Sequence, residues 1–193
     1  MEFSRRPAPQ QPERRMPSRV LVFDFDGTIT SPIYLERLKT WVVADKVKVF
    51  AALTRDEIIA NLGGEARVEA LRALFADLRS DERTALFVCS LGYKTAIVPN
   101  LTSADLLSAF GAERVFGQDS PELARREFKK ADCIRDLVCG MDLPASAILF
   151  IDDSAQHVEY ARATKTCDTL HVDGGKGLTE SHMATIREWA RRP

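Results

Sequence analysis

The sequence predicts an α/β fold, a three-layer α/β/α sandwich built on a parallel sheet. Two observations carry this. Three short apolar runs, Val20-Leu21-Val22-Phe23, Leu86-Phe87-Val88-Cys89 and Ile148-Leu149-Phe150-Ile151, each stop abruptly at a polar residue. Continuous apolar runs of that length read as strands buried on both faces, as parallel sheets require. Stretches of helical period lie between them, and alternation of that kind gives βαβ units joined by right-handed crossovers.

The elements follow in order. Residues 1 to about 17 form a separate zone in which Arg5, Arg6, Arg14 and Arg15 interleave with prolines and glutamines. Such a composition buries no core and is expected to be a disordered arm. The first strand runs to Phe23 and meets Asp24-Phe25-Asp26-Gly27-Thr28. Tyr34 to Leu53 has apolar residues at helical intervals. Thr54 and Glu57 form a capping-box pattern ahead of a short helix over 56–62, and Gly63-Gly64 ends it. Glu65 to Leu78 is an amphipathic helix with Val68, Leu71, Leu74, Phe75 and Leu78 on one side. Then come a strand over 85–89, a helix from Thr102 or Ser103 to Phe110, a short strand over 114–116 and a helix over 130–139. A strand over 147–151, a helix over 155–164, a strand over 169–172 and a last helix over 181–191 complete the chain. Gly174-Gly175-Lys176-Gly177 lacks phosphate-loop spacing and is expected to be a flexible loop.

Bulk properties narrow the function. The chain has 193 residues, enough for one domain with a small insert. A formal net charge of −1 gives no strong nucleic-acid signal. No apolar run approaches the roughly 20 residues of a membrane helix, so no membrane partner is expected. Cys89, Cys133, Cys139 and Cys167 show no CxxC pairing, and His157, His171 and His182 are scattered. The cysteines read as reduced apolar residues of a cytoplasmic protein.

The chemistry gathers where the strands end. Asp24 and Asp26 would stand at the carboxyl end of a central strand, where open α/β sheets place ligands. Two anions there need a cation or a proton, and Mg²⁺ with its oxygen ligands would serve. Ser90 ends the second run and precedes Leu91-Gly92, an arrangement of hydroxyl and helix-start amides that suits an anion. Lys129 and Lys130 precede the helix at Ala131. Asp152 and Asp153 end the fourth strand.

These four stretches, in this order, resemble motifs I to IV of the haloacid dehalogenase superfamily in its phosphatase form. The resemblance spans residues 20 to 154. It implies a Rossmann-like core over 18–193, with 32–61 as a small all-helical cap insert. It implies Asp24 as nucleophile and Asp26 as general acid and base, acting through an aspartyl-phosphate. Thr28, Ser90, Gly92 and Lys130 would bind the phosphorylated substrate, with Lys129 the alternative lysine. Asp24, Asp26, Asp152 and Asp153 would hold Mg²⁺, Asp26 through its backbone carbonyl. Gln156 stands where some members carry a further acid, which leaves the role of Asp153 open. Asp26 argues for phosphate over halide chemistry. A phosphomutase or phosphotransferase and a non-catalytic binding protein remain as alternatives. Tyr34, Arg55 and Lys94 are within plausible reach of a substrate whose identity the sequence leaves open, as it does the oligomeric state.

Overall fold

The computed structural model describes residues 16–31 and 52–192. Residues 1–15 of the expected arm, most of the expected helix Tyr34–Leu53 and most of the cap insert lie outside the described residues.

Five strands form one sheet: β1 (Arg19–Phe23), β2 (Thr84–Cys89), β3 (Val115–Phe116), β4 (Ile148–Asp152) and β5 (Asp168–His171). Their order is β3-β2-β1-β4-β5 and every pairing is parallel. The described helices are α1 (Arg55–Asn61), α2 (Glu65–Arg79), α3 (Lys94–Ser103), α4 (Leu107–Phe110), α5 (Pro121–Ala124), α6 (Lys130–Leu137), α7 (Ala155–Ala163) and α8 (Glu180–Ala190).

β1 lies at the centre because both of its faces are apolar. Leu21 and Phe23 enter one core with Leu71 and Phe75 of α2 and Ile186 of α8. Val20 and Val22 enter the opposite core with Ile134 of α6 and Ala161 of α7. The strand period of two thus places successive residues in different helix layers. Phe23, Phe75 and Phe110 meet edge-to-face, with ring centroids 4.9–6.0 Å apart. Each such pair contributes about 0.5–1.5 kcal/mol beyond its area. Strand order reverses at β1, so a crevice opens at its carboxyl end, beside that of β4.

Most expected elements form with bounds shifted by a residue or two, and Thr54–Glu57 makes the expected capping box. One expectation is overturned. Thr102 does not start a helix; it lies near the end of α3, and its hydroxyl donates to the Val98 carbonyl at 2.8 Å. The cap of α3 comes instead from Asp119, whose carboxylate accepts from the Lys94 and Thr95 amides at 2.6 and 3.2 Å. A cap from so far along the chain leaves no local signal. The 174–177 stretch is a loop, as expected, with its end tied down. Leu178 donates its amide to the Thr28 carbonyl at 2.8 Å, and a side chain at Gly177 would strike the Thr30 and Thr28 carbonyls. The end of that loop is packed onto the turn after β1.

Candidate active site

The turn after β1 is shaped by its own residues. The Thr30 amide donates to the Phe25 carbonyl at 2.9 Å, closing one wide turn over Phe25–Ile29. Gly27 sits at φ +79°, a conformation that favours glycine, and its amide donates to Thr30 Oγ1 at 2.9 Å. Arg67 holds the turn from outside. Its guanidinium donates to the carbonyls of Thr28, Ile29, Leu62 and Leu178. Burial lowers its pKa to about 10, so it stays charged at neutral pH. Sequence reading missed Arg67. The available signal is its spacing: 67, 71, 74 and 78 fall on one stripe, and the other three are buried leucines.

Asp24 caps the end of β1, where its amide donates to the Ile151 carbonyl of β4 at 2.8 Å. Its carboxylate is buried and accepts from Lys130 Nζ at 2.6 Å. The same ammonium donates to Asp152 Oδ2 at 2.7 Å, so Lys130 bridges the ends of β1 and β4. Burial opposes its charge, but Asp24 and Asp152 outweigh that and hold the ammonium well above its usual range. Of the two competing lysines, Lys130 enters the site. Lys129 is exposed and pairs with Glu127 at 3.0 Å. The backbone that delivers Lys130 is unusual: Glu127 and Phe128 both adopt positive φ, +51° and +62°, before α6 begins.

Carboxylate oxygens of Asp24, Asp152 and Asp153 lie within 4.8 Å of one another. Burial, and next the charge of Asp24, raise Asp152 to about 7 and Asp153 to about 6. Three carboxylates thus converge on the single ammonium of Lys130. An all-oxygen donor set of this kind fits a hard divalent cation such as Mg²⁺. Second contacts orient these acids: the Ser154 amide donates to Asp152 Oδ1 at 2.7 Å, and His171 Nε2 lies 2.9 Å from the Asp153 carbonyl. The Asp26 carboxylate stands apart from this group. It accepts from Ser90 Oγ at 3.2 Å. Its pKa is raised to about 7, first by burial and then by Asp24, against the opposing effects of Ser90 and Lys130.

Ser90 is fully buried at the end of β2, and its hydroxyl also accepts from the Gly92 amide at 3.2 Å. A side chain at Gly92 would strike the Asp26 carboxylate, so glycine permits the two loops to meet. The Lys94 and Thr95 amides at the start of α3 are occupied by Asp119, while the Gly92 amide ahead of it donates to Ser90. Thr28 is fully buried, and its hydroxyl has no hydrogen-bond partner among the described residues. His157 is half-buried at the start of α7, its pKa lowered by burial and by Lys130. Lys94 lies over the Phe116 ring, 5.9 Å from its centroid, and Arg55 pairs with exposed Glu65 at 2.8 Å. Tyr34 lies outside the described residues.

No family model matches the sequence, and no curated protein matches it. Solved structures do. The HAD domain of effector protein Lem4 from Legionella pneumophila is 15% identical, over 93% of this chain and 100% of that one, with a TM-score of 0.54. A HAD-superfamily hydrolase of subfamily IA, variant 1, from Geobacter sulfurreducens is 13% identical, over 89% of this chain and 96% of that one, with a TM-score of 0.50. The likeness is one of fold: the chain has the haloacid dehalogenase-like fold over most of its length.

Proposed function

We propose that the chain is a Mg²⁺-dependent phosphomonoester phosphatase that works through a phosphorylated Asp24. The observation that carries this reading is the division between the two acids after β1. Asp24 joins the Lys130–Asp152–Asp153 cluster, while Asp26 turns to Ser90 with a pKa raised to about 7. That division supports attack by Asp24 and proton transfer by Asp26.

Asp24, Asp152 and Asp153 would hold Mg²⁺. When bound, the ion lowers the repulsion between a carboxylate and a phosphate and offsets charge on the transferring group. Asp24 would attack phosphorus in line, forming an acyl phosphate as the ester oxygen leaves. Asp26, whose raised pKa of about 7 keeps part of it protonated at neutral pH, would give its proton to that oxygen and then accept one from the incoming water. Water attack at phosphorus releases phosphate and restores Asp24. Lys130 supplies fixed positive charge beside the reacting oxygens, and Ser90 with the Gly92 amide supplies neutral donors. The resemblance to HAD structures supports the chemistry at the level of fold alone.

The test is Asp24→Asn assayed against p-nitrophenyl phosphate with Mg²⁺. Turnover is expected to fall at least about a thousandfold, as removal of a nucleophile does, with thermal unfolding remaining cooperative. Retained turnover in a clean preparation would remove Asp24 from the nucleophile role.

A further inference from the structure

We propose that the open edge of β5 is a docking site for an extended acidic peptide segment, added to the sheet as a sixth strand. The inference is independent of the phosphatase reading and concerns the edge of the sheet beyond β4.

β5 ends the strand order, and all four of its residues are half-buried where those of β4 are buried. The orientation of its backbone follows from one bond. The Val172 amide donates to the Asp152 carbonyl at 2.9 Å, toward β4. Successive residues of a strand turn their backbone groups to opposite edges. Thr169 and His171 therefore turn their amides and carbonyls outward, and no described backbone group bonds to them. Such a row is a template for another extended segment.

A cavity of about 510 Å³ runs along this edge, between the end of α7 and α8. Leu170 and the Trp189 indole give it an apolar lining, and Arg162, Lys165 and Arg192 give it positive charge. The acid that lines it, Asp168, is engaged by the Trp189 indole N–H at 2.9 Å and by Arg192 at 3.7 Å. Edges are often protected by charge on the strand itself. Here β5 carries no lysine or arginine. The cations flank the groove instead, and no hydrogen bond among the described residues occupies the Thr169 or His171 amide.

Charge selects the occupant. The chain's own residues 1–15 carry four arginines against two glutamates, the wrong sign. A second copy paired about a two-fold axis would set the same cationic groove against itself. An acidic extended segment satisfies both the outward amides and the three cations.

The experiment measures fluorescence anisotropy of short, end-capped labelled peptides with the full-length protein. One alternates glutamate with valine, and the other alternates lysine with valine. The glutamate peptide is expected to bind, more weakly as salt rises, and the lysine peptide not to bind. Thr169→Pro removes one outward amide and no bond of the β4–β5 ladder, and is expected to weaken binding about tenfold, the loss of one backbone hydrogen bond. Thr169→Val, which keeps the amide but loses the bond that Arg162 Nε donates to Thr169 Oγ1 at 2.7 Å, is expected to bind like the parent. Arg192→Glu is expected to weaken binding to a similar degree. Absent binding, equal binding of the two peptides, or unchanged binding by a folded Thr169→Pro protein would overturn the proposal. Concentration-dependent self-association abolished by Thr169→Pro would overturn it in favour of a second copy.

Discussion

Asp24 and Asp26 are separated by one residue, and their environments separate their chemistry. The extended end of β1 keeps Asp24 against Lys130, and the turn after it directs Asp26 to Ser90. The sequence placed both acids at the end of a buried strand, where two anions are costly, but their separate roles rest on the family resemblance alone. Lys130 was favoured over Lys129 only by a spacing to Asp152 that the family resemblance supplies. Two left-handed residues before α6 decide between them, and neither Glu127 nor Phe128 signals that conformation. The raised pKa of Asp26 leads to a pH prediction. The acid form is lost as pH rises through about 7, so catalysis that depends on it must fall there. Alkyl phosphates, whose leaving groups need the proton, should lose kcat/KM above pH 7 more steeply than p-nitrophenyl phosphate does. Parallel profiles would remove Asp26 from the acid role. Asp26→Asn should abolish alkyl phosphate turnover while Mg²⁺-dependent beryllofluoride binding, followed by fluorescence, persists.

At the scale of elements, the loops at the candidate site are held by neighbours distant in sequence. The Ser90 amide donates to the Phe116 carbonyl, and the Gln118 amide to the Gly92 carbonyl. Asp119 caps α3 from that same loop. The loop approaches so closely that a side chain at Gly117 would collide with the Lys94 amide nitrogen and the Gly92 carbonyl. Gly117→Ala should therefore destabilise the protein by about 1–3 kcal/mol, as overpacking does. It should also weaken phosphate-analogue binding, because Gly92 and Ser90 must shift. Urea denaturation and tungstate inhibition would measure the two effects, and unchanged values for both would show that the loop yields freely. Sequence periodicity located the strands and the α2 and α6 helices because apolar spacing is a local property. It misplaced the start of α3, whose cap is supplied through space by Asp119.

For the whole molecule, the parallel sheet and its helix layers were legible from three apolar runs and the helical stretches between them. The small helical cap expected over 32–61 falls mostly outside the described residues. Assembly of the site loads several acids onto the carboxyl end of the sheet. Asp26 and Asp152 rise from 3.8 to about 7, and Asp153 to about 6. A carboxyl whose pKa is raised on folding binds its proton more tightly in the native state. The contribution of these three groups to native stability is then greatest at low pH and falls as pH rises from about 4 to about 7. Metal-free protein should accordingly lose melting temperature over that interval through these groups. Mg²⁺ should restore it, and by more at pH 8 than at pH 5, because the cation binds the ionised cluster. Thermal melts with EDTA or Mg²⁺ at the two values would check this. Equal shifts at both would mean that the ion does not bind these acids.

The central claim is that Asp24 carries the phosphoryl group. Acid-quenching the enzyme during turnover of p-nitrophenyl phosphate and treating it with borohydride reduces an acyl phosphate to an alcohol. Peptide mass spectrometry should then find homoserine at position 24, dependent on substrate and Mg²⁺ and absent when either is omitted. Turnover with aspartate intact at position 24, or homoserine at another position, would contradict the account.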